Sequence, residues 1–262
     1  KQPVRFIADL TKKLQPIIEY PTPNNLPTLE GAVVIYEPPI YDPPYGLYKI
    51  GYDPVYHDDV DRKLVRSLGS IIVYKTSNKI SAGFDEIVAE YTGRPDNTDV
   101  INDICLKLSL YYGKAGVMVE SDKGKDAVAY FKRKGYFHLL EDQPDSVIAR
   151  VTKNPTVSRV KGAPMTGPMK ATAEKFTLKW LLTERGVNGE GKIVRNMDLL
   201  PSIPLVQELI MYNRDGNFDR VSALFPIMLS IEEDIEKSID TMRRESNPAR
   251  YFNDNLKNFF KK

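Results

Sequence analysis

Residues 47–55 read LYKIGYDPV, and residues 115–120 read AGVMVE. The first stretch alternates. Tyr48, Ile50 and Tyr52 fall on one face, Lys49, Gly51 and Asp53 on the other, and Pro54 ends the run. A period of two predicts a strand, with Asp53 at its end and pointing away from the Ile50 face. The second stretch is almost wholly apolar until it stops at Glu120, which predicts a buried central strand. Two strands that each finish on a carboxylate set the frame for the remaining elements.

Working outward, GSIIVYKT (69–76) and KISAGFDEIVAEYTG (79–93) predict two strands joined at Ser77-Asn78 as an antiparallel hairpin. Residues 96–112 predict a helix capped by Asn97 or Thr98, with Val100, Ile101, Ile104, Leu108 and Tyr111 on its apolar face. Further helices are expected over 122–134, 172–185, 201–212 and 218–237. The last is expected to kink at Pro226, because proline lacks an N–H and clashes with the carbonyl four residues back. YFHLL (136–140) predicts another strand, and residues 141–171, with four prolines, a long loop. Before Leu47 lie a helix candidate (Phe6 to Glu19), a strand candidate (GAVVIYE, 31–37) and proline-rich loops. Leading antiparallel strands followed by crossovers predict an α/β fold, a mixed sheet with helices on both faces. The expected divisions are an arm or linker over 1–46, a main domain over 47–240 and a charged tail over 241–262.

Composition narrows the chemistry. The chain has 262 residues and is 42% hydrophobic, enough for a real core. Lys and Arg number 37 against 35 Asp and Glu, a formal charge of +2 that excludes a wholesale basic coat. The lone Cys105 excludes an internal disulfide framework and a cysteine zinc site. His57 and His138 are too few for a histidine-rich metal centre, so any metal would be held mainly by carboxylates, which favours Mg²⁺ or Mn²⁺. No run of about 18 apolar residues predicts a membrane span. There is no G-x-x-x-x-G-K-[ST] phosphate loop. The chain starts KQPVRFIADL, without Met or an apolar leader, and reads as a fragment or a processed product.

Three acids stand out: Asp53, Glu120, and Asp219 in the first turn of the last helix. Strand-end carboxylates lie where open α/β sheets bind ligands. Three converging acids repel unless cations neutralise them. Two Mg²⁺ or Mn²⁺ ions about 3.5–4 Å apart can activate water and stabilise the leaving oxygen in phosphodiester cleavage. Each acid also has a plain reading: turn chemistry before Pro54, a solvated strand end, or a charge on the helix dipole behind an Asn217 cap. Asp58, Asp59 and Asp61 read as a solvated run, and Asp215 rivals Asp219. Between Arg150 and Arg195 ten basic residues face three acids, a local +7 that leaves −5 elsewhere. This suits a phosphate-contacting loop and helix, and equally a solvated face. Cys105 and Trp180 read as core, His57 as surface, and Lys123-Gly124-Lys125 as a solvated helix start.

IGYDP (50–54), AEYTGRP (89–95), YYGKAGVMVES (111–121) and NFDRVSAL (217–224), in that order, resemble the nuclease domain of the large terminase subunit of tailed bacteriophages. The resemblance spans roughly residues 47–237. It implies an RNase H-like fold with a mixed five-stranded sheet flanked by helices on both faces. It also implies a two-metal (Mg²⁺ or Mn²⁺) endonuclease that cuts concatemeric double-stranded viral DNA during genome packaging. Asp53, Glu120 and Asp219 would be both catalytic and metal-binding residues. Phe218 and Asn217 stand where the family's last motif has Asp and His, which keeps Asp215 in contention. The family's hairpin near the site directs DNA contact to this basic region, with Lys153, Arg159, Lys161, Lys170 and Lys175 as the contacts. Also implied are an ATPase motor domain in the full-length protein, portal and small-subunit partners, and a place in the host cytoplasm. Two other readings stand beside it. One is a catalytically silent RNase H-like docking module for portal or motor partners, and the other a resolvase or transposase of the same fold.

Overall fold

The structure, a computed structural model, describes residues 4–246 apart from 12, 24, 25, 27, 56–66, 77–84 and 152–159. In chain order its strands are β1 (Val33–Ile35), β2 (Tyr48–Asp53), β3 (Gly69–Lys75), β4 (Glu86–Gly93), β5 (Gly116–Val119), β6 (Glu184–Val187) and β7 (Ile193–Arg195). Its helices are α1 (Thr98–Tyr111), α2 (Lys125–Arg133), α3 (Asp145–Val151), α4 (Gly167–Leu181), α5 (Ile203–Met211) and α6 (Asp219–Ser246). Five strands form one mixed sheet in the order β1-β4-β3-β2-β5. All neighbours are antiparallel except β2 and β5, which run parallel. This is the α/β architecture expected from the sequence, and it is consistent with an RNase H-like fold.

Alternation along the strands divides the core in two. Ile50, Tyr52, Ile71 and Val73 pack with Ile101, Cys105, Leu108 and Phe131 of α1 and α2. Ile72 and Tyr74 pack with the other layer, built on α4, α5 and α6. Cys105 is buried in the first layer, where burial pushes its thiol pKa up, and Asn97 caps α1 by accepting from Asp99 N–H. Trp180 lies in the second layer, edge-on to Tyr74 with ring centroids 5.7 Å apart. Both residues are core, as the sequence predicts.

Several expectations change. YFHLL is not a strand: Phe137–Leu139 form a 3₁₀ turn, with Leu139 N–H bonded back to Tyr136 and Leu140 N–H to Phe137. The fifth strand is instead β1, from the proline-rich arm. β5 therefore ends the sheet rather than lying inside it. Its outer edge is covered piecemeal, Glu141 N–H donating to Val117 O and Ala163 N–H to Val119 O. The described residues between Phe6 and Glu19 are not helical. The Asp9 carboxylate takes the N–H groups of Thr11 and Leu14, a local turn that competes with helix formation. Residues 141–171 hold α3 and the start of α4, which begins five residues early because Pro168 is tolerated in a first turn. The glycine-rich segment after α4 is the β6–β7 hairpin. α6 continues through Pro226 to Ser246. The charged loop from His57, the Ser77-Asn78 junction and the tail from 247 lie outside the described residues.

Helix α6 lies along β2. Lys49, Gly51 and Asp53 share the face that meets it. A Cβ on Gly51 would stand 1.9 Å from Ala223 O and 2.6 Å from Ile227 Cγ1. Lys49 Nζ bonds Ser230 Oγ at 2.7 Å and Asp234 at 2.9 Å, further along α6. About 13 Å of strand between residues 53 and 49 runs beside about 16 Å of helix between 219 and 230, so the two are antiparallel. The start of α6 thereby falls at the Asp53 end. No described helix is long and apolar enough to cross a membrane.

Gly51→Ala places a methyl group against backbone, which cannot swing aside. It is expected to destabilise the protein by at least about 2 kcal/mol in urea unfolding. Unchanged stability would mean that α6 does not rest on β2 this closely.

Candidate active site

Asp53 and Glu120 come from adjacent parallel strands and are brought level by their register. Tyr52 pairs with Val119, and Glu120 N–H donates to Tyr52 O at 2.9 Å. Asp53 is 1% exposed and Glu120 7%. The turn after Glu120 is tight: a Cβ on Gly124 would stand 2.6 Å from Glu120 O. That turn folds Lys123 back over the strand ends. Its Nζ lies 3.0 Å from Asp53 Oδ1 and 3.6 Å from Glu120 Oε2. The solvated helix start expected from Lys123-Gly124-Lys125 is thus corrected at Lys123. The signal available in the sequence was its spacing of three from Glu120.

Asp219 stands at the start of α6, 6% exposed. Its Oδ2 accepts Leu68 N–H at 3.0 Å and Asn217 Nδ2 at 3.1 Å, and its Oδ1 accepts Ser67 Oγ at 3.2 Å. Arg94, from the AEYTGRP stretch, grips Ser67 O at 2.5 Å and so fixes the loop that holds Asp219. Neither Arg94 nor Ser67 stood out in the sequence, because a backbone carbonyl as partner leaves no motif. The first N–H groups of α6 do not depend on Asp219. Glu208 of α5 accepts from Arg220 N–H and Val221 N–H at 2.8 and 3.2 Å, and pairs with the Arg220 guanidinium at 2.8 Å. Arg220 also donates to the Ile17 carbonyl, so the arm is tied to the same point.

The rival Asp215 is exposed in the loop before α6. Phe218 is buried and packs against Tyr20 and Tyr212, with centroids 5.4 and 5.3 Å away. The position where the resembling family has an extra acid is a core position here.

Electrostatics follow from burial. Asp53 has its pKa pushed well above the usual carboxylate range, by burial first and then by the charge of Glu120, with Asp219 adding to it and Lys123 opposing. Asp219 is raised to about 6 by burial, which outweighs its hydrogen bonds and the pull of Lys123. Burial works against the charge on Lys123, but Asp53 and Glu120 more than compensate and hold its pKa above normal. Among the described residues, no three His, Cys, Asp or Glu side chains form a ready-made metal cage. The acids meet around a lysine instead. Still, Asp53 Oδ2 is buried without a hydrogen-bond partner, and all the donors are carboxylate oxygens. That donor set fits a hard divalent cation.

The basic segment is split. Met165 N–H donates to Asp122 at 3.0 Å, so the start of α4, with Lys170, lies at the acid end. Lys170 is half-buried above the Tyr212 ring, and Lys175 is exposed. Lys161 is engaged with Asp142 at 2.7 Å and Leu140 O at 2.9 Å. The β6–β7 hairpin is rooted at the other end of the sheet, where Arg185 reaches Asp85 just before β4. Lys153, Arg159 and His57 lie outside the described residues.

No protein-family model matches the chain, and no curated protein matches it. Among solved structures, the chain is similar to the large terminase nuclease from thermophilic phage G20c, at a TM-score of 0.36 and 14% sequence identity. The match covers 81% of this chain and 90% of that one.

Asp219 has a folded pKa of about 6 against an ordinary 3.8. Its protonated form therefore adds stability that is complete below pH 4 and is lost as pH rises through 6. Glu208, raised to about 7 by burial, has the same sign. Stability in EDTA is expected to fall between pH 4 and 7, and Asp219→Asn to flatten that fall. Parallel urea-unfolding profiles for the two proteins would refute it.

Proposed function

We propose that this protein is a divalent-metal-dependent DNA endonuclease, with Asp53, Glu120 and Asp219 as its metal-binding and catalytic residues. The observation that carries this reading is the meeting of Asp53 and Glu120 at the ends of adjacent parallel strands, with Asp53 Oδ2 buried and unpartnered. Burial of Asp53 and Asp219 beside α6 supports the same reading. So does the order of the four stretches that resemble the terminase nuclease domain.

The acids would hold Mg²⁺ or Mn²⁺, two ions in the resembling family, which supply an activated water and neutralise charge developing on the phosphate oxygens. The chain's own residues do the rest. Asp53 and Glu120, held level by strand register, would present their carboxylates side by side. Ser67, Leu68 and Arg94 hold Asp219 to the same end of the sheet. Lys170 and Lys175 on α4, together with Lys153, Arg159 and Lys161, would meet the DNA backbone. Such contacts read phosphate and carry no base sequence. Cutting of viral DNA during packaging, with a motor domain, portal and small subunit as partners in the host cytoplasm, is the biological setting proposed from the resemblance.

Asp53→Asn should abolish Mn²⁺-dependent nicking of supercoiled plasmid and leave the far-ultraviolet circular dichroism unchanged. Nicking equal to wild type would sink the assignment. A wild-type chain that neither cuts nor binds Mn²⁺ would favour the docking module. Removing Lys170 and Lys175 together should weaken binding to all DNA sequences alike. The slope of log affinity against log salt should also shrink by about 0.9 for each phosphate no longer neutralised. An unchanged slope would take α4 out of the interface.

A further inference from the structure

Among the described residues, Lys123 is the cation set between Asp53 and Glu120, and nothing in the proposed chemistry uses it. Its Nζ touches Asp53 and Glu120 at 3.0 and 3.6 Å, yet its side chain is about one-third exposed, while Asp53 is 1% exposed. It reaches in from the solvent side on a four-carbon stem, from a turn outside any helix or strand. Fixed structural ion pairs in this protein look different. Arg220 and Glu208 are each 1% exposed, with two backbone N–H groups adding to their bond. Lys49 is 8% exposed and has three partners, Glu141, Asp234 and Ser230. Lys123 satisfies only one oxygen of Asp53 and leaves Oδ2 bare.

We infer that Lys123 is a placeholder: its ammonium occupies the cation position between Asp53 and Glu120 in the metal-free protein and swings to solvent when a divalent ion enters. The inference rests on the reading of these acids as metal ligands. Lys123 keeps the acids from repelling one another while no metal is present. The same contact competes with the ion, so it sets a threshold for metal loading. A long side chain that is one-third exposed can leave when an incoming ion takes over its partners, because its own charge regains water.

Isothermal titration of the whole chain with MnCl₂ tests this, comparing wild type, Lys123→Met, Lys123→Arg and Asp53→Asn. Thermal unfolding in EDTA and in MnCl₂ runs alongside. Lys123→Met keeps the stem and removes the charge. It is expected to bind Mn²⁺ roughly tenfold tighter, the scale of one exchanged, partly exposed ion pair. It should unfold earlier than wild type in EDTA and gain more from Mn²⁺. Lys123→Arg keeps the competing charge and should bind Mn²⁺ like wild type. If wild type binds Mn²⁺, Asp53→Asn does not, and Lys123→Met binds equally or more weakly, the placeholder is refuted while the metal site stands. If wild type and Lys123→Met both fail to bind Mn²⁺, the metal site falls and the placeholder with it. Should Lys123→Met not fold, tighter binding by Lys123→Gln would support the inference, and equal or weaker binding would refute it.

Discussion

The contact between Gly51 and the backbone of Ala223 is the constraint on which the site depends. Only a residue without a side chain lets α6 lie this close to β2. The closeness has a direct consequence at each end of the strand. At one end it brings Asp219 into the neighbourhood of Asp53, and at the other it seats Lys49 between Ser230 and Asp234. A helix raised by the width of a methyl group would loosen both. The Glu208–Arg220 pair fixes the remaining freedom, the rotation and register of the first turn. It also provides the cap that the helix start lacks in its own sequence.

Charge is handled differently at the two ends of that contact. In the Lys49 cluster the lysine is buried, with Glu141 and the exposed Asp234 as its acids and a hydroxyl donating to Glu141. Its three bonds to the lysine locate one helix against one strand. The cluster at Asp53 is buried and incomplete, with an acceptor unmatched and a cation on a long, partly exposed stem. The contrast in how the two lysines are held is what favours the second cluster as the place of the proposed chemistry.

Periodicity carried much of the fold. Alternation in LYKIGYDPV and GSIIVYKT, and the apolar run before Glu120, follow from local sterics and from which face is buried, so these strands stand where the sequence predicts them. Elements that failed did so for local reasons of another kind. YFHLL has strand-like residues, but its N–H groups close on their own turn. Pro168 looks like punctuation, but proline fits the first turn of a helix. The arm's short strand joins the main sheet because β4 offers an unpaired edge, a fact no single segment contains.

The sequence by itself determined that Asp53 and Glu120 would end strands, because period two and an apolar run are properties of neighbouring residues. It also determined that any metal would be held mainly by carboxylates, because composition leaves few alternatives. Only the tertiary structure decided which third acid joins them. Asp215 and Asp219 are four residues apart on paper, but one lies in solvent and the other is held by Ser67 and Leu68 from a distant loop. Only the tertiary structure placed Lys123 among the acids, since a side chain's direction after a tight turn depends on the strand beneath it. Partners separated by some 70 residues between Asp53 and Lys123, or 150 between Leu68 and Asp219, leave no local pattern. They meet because the sheet brings strand ends together and burial makes each charge answer to the others.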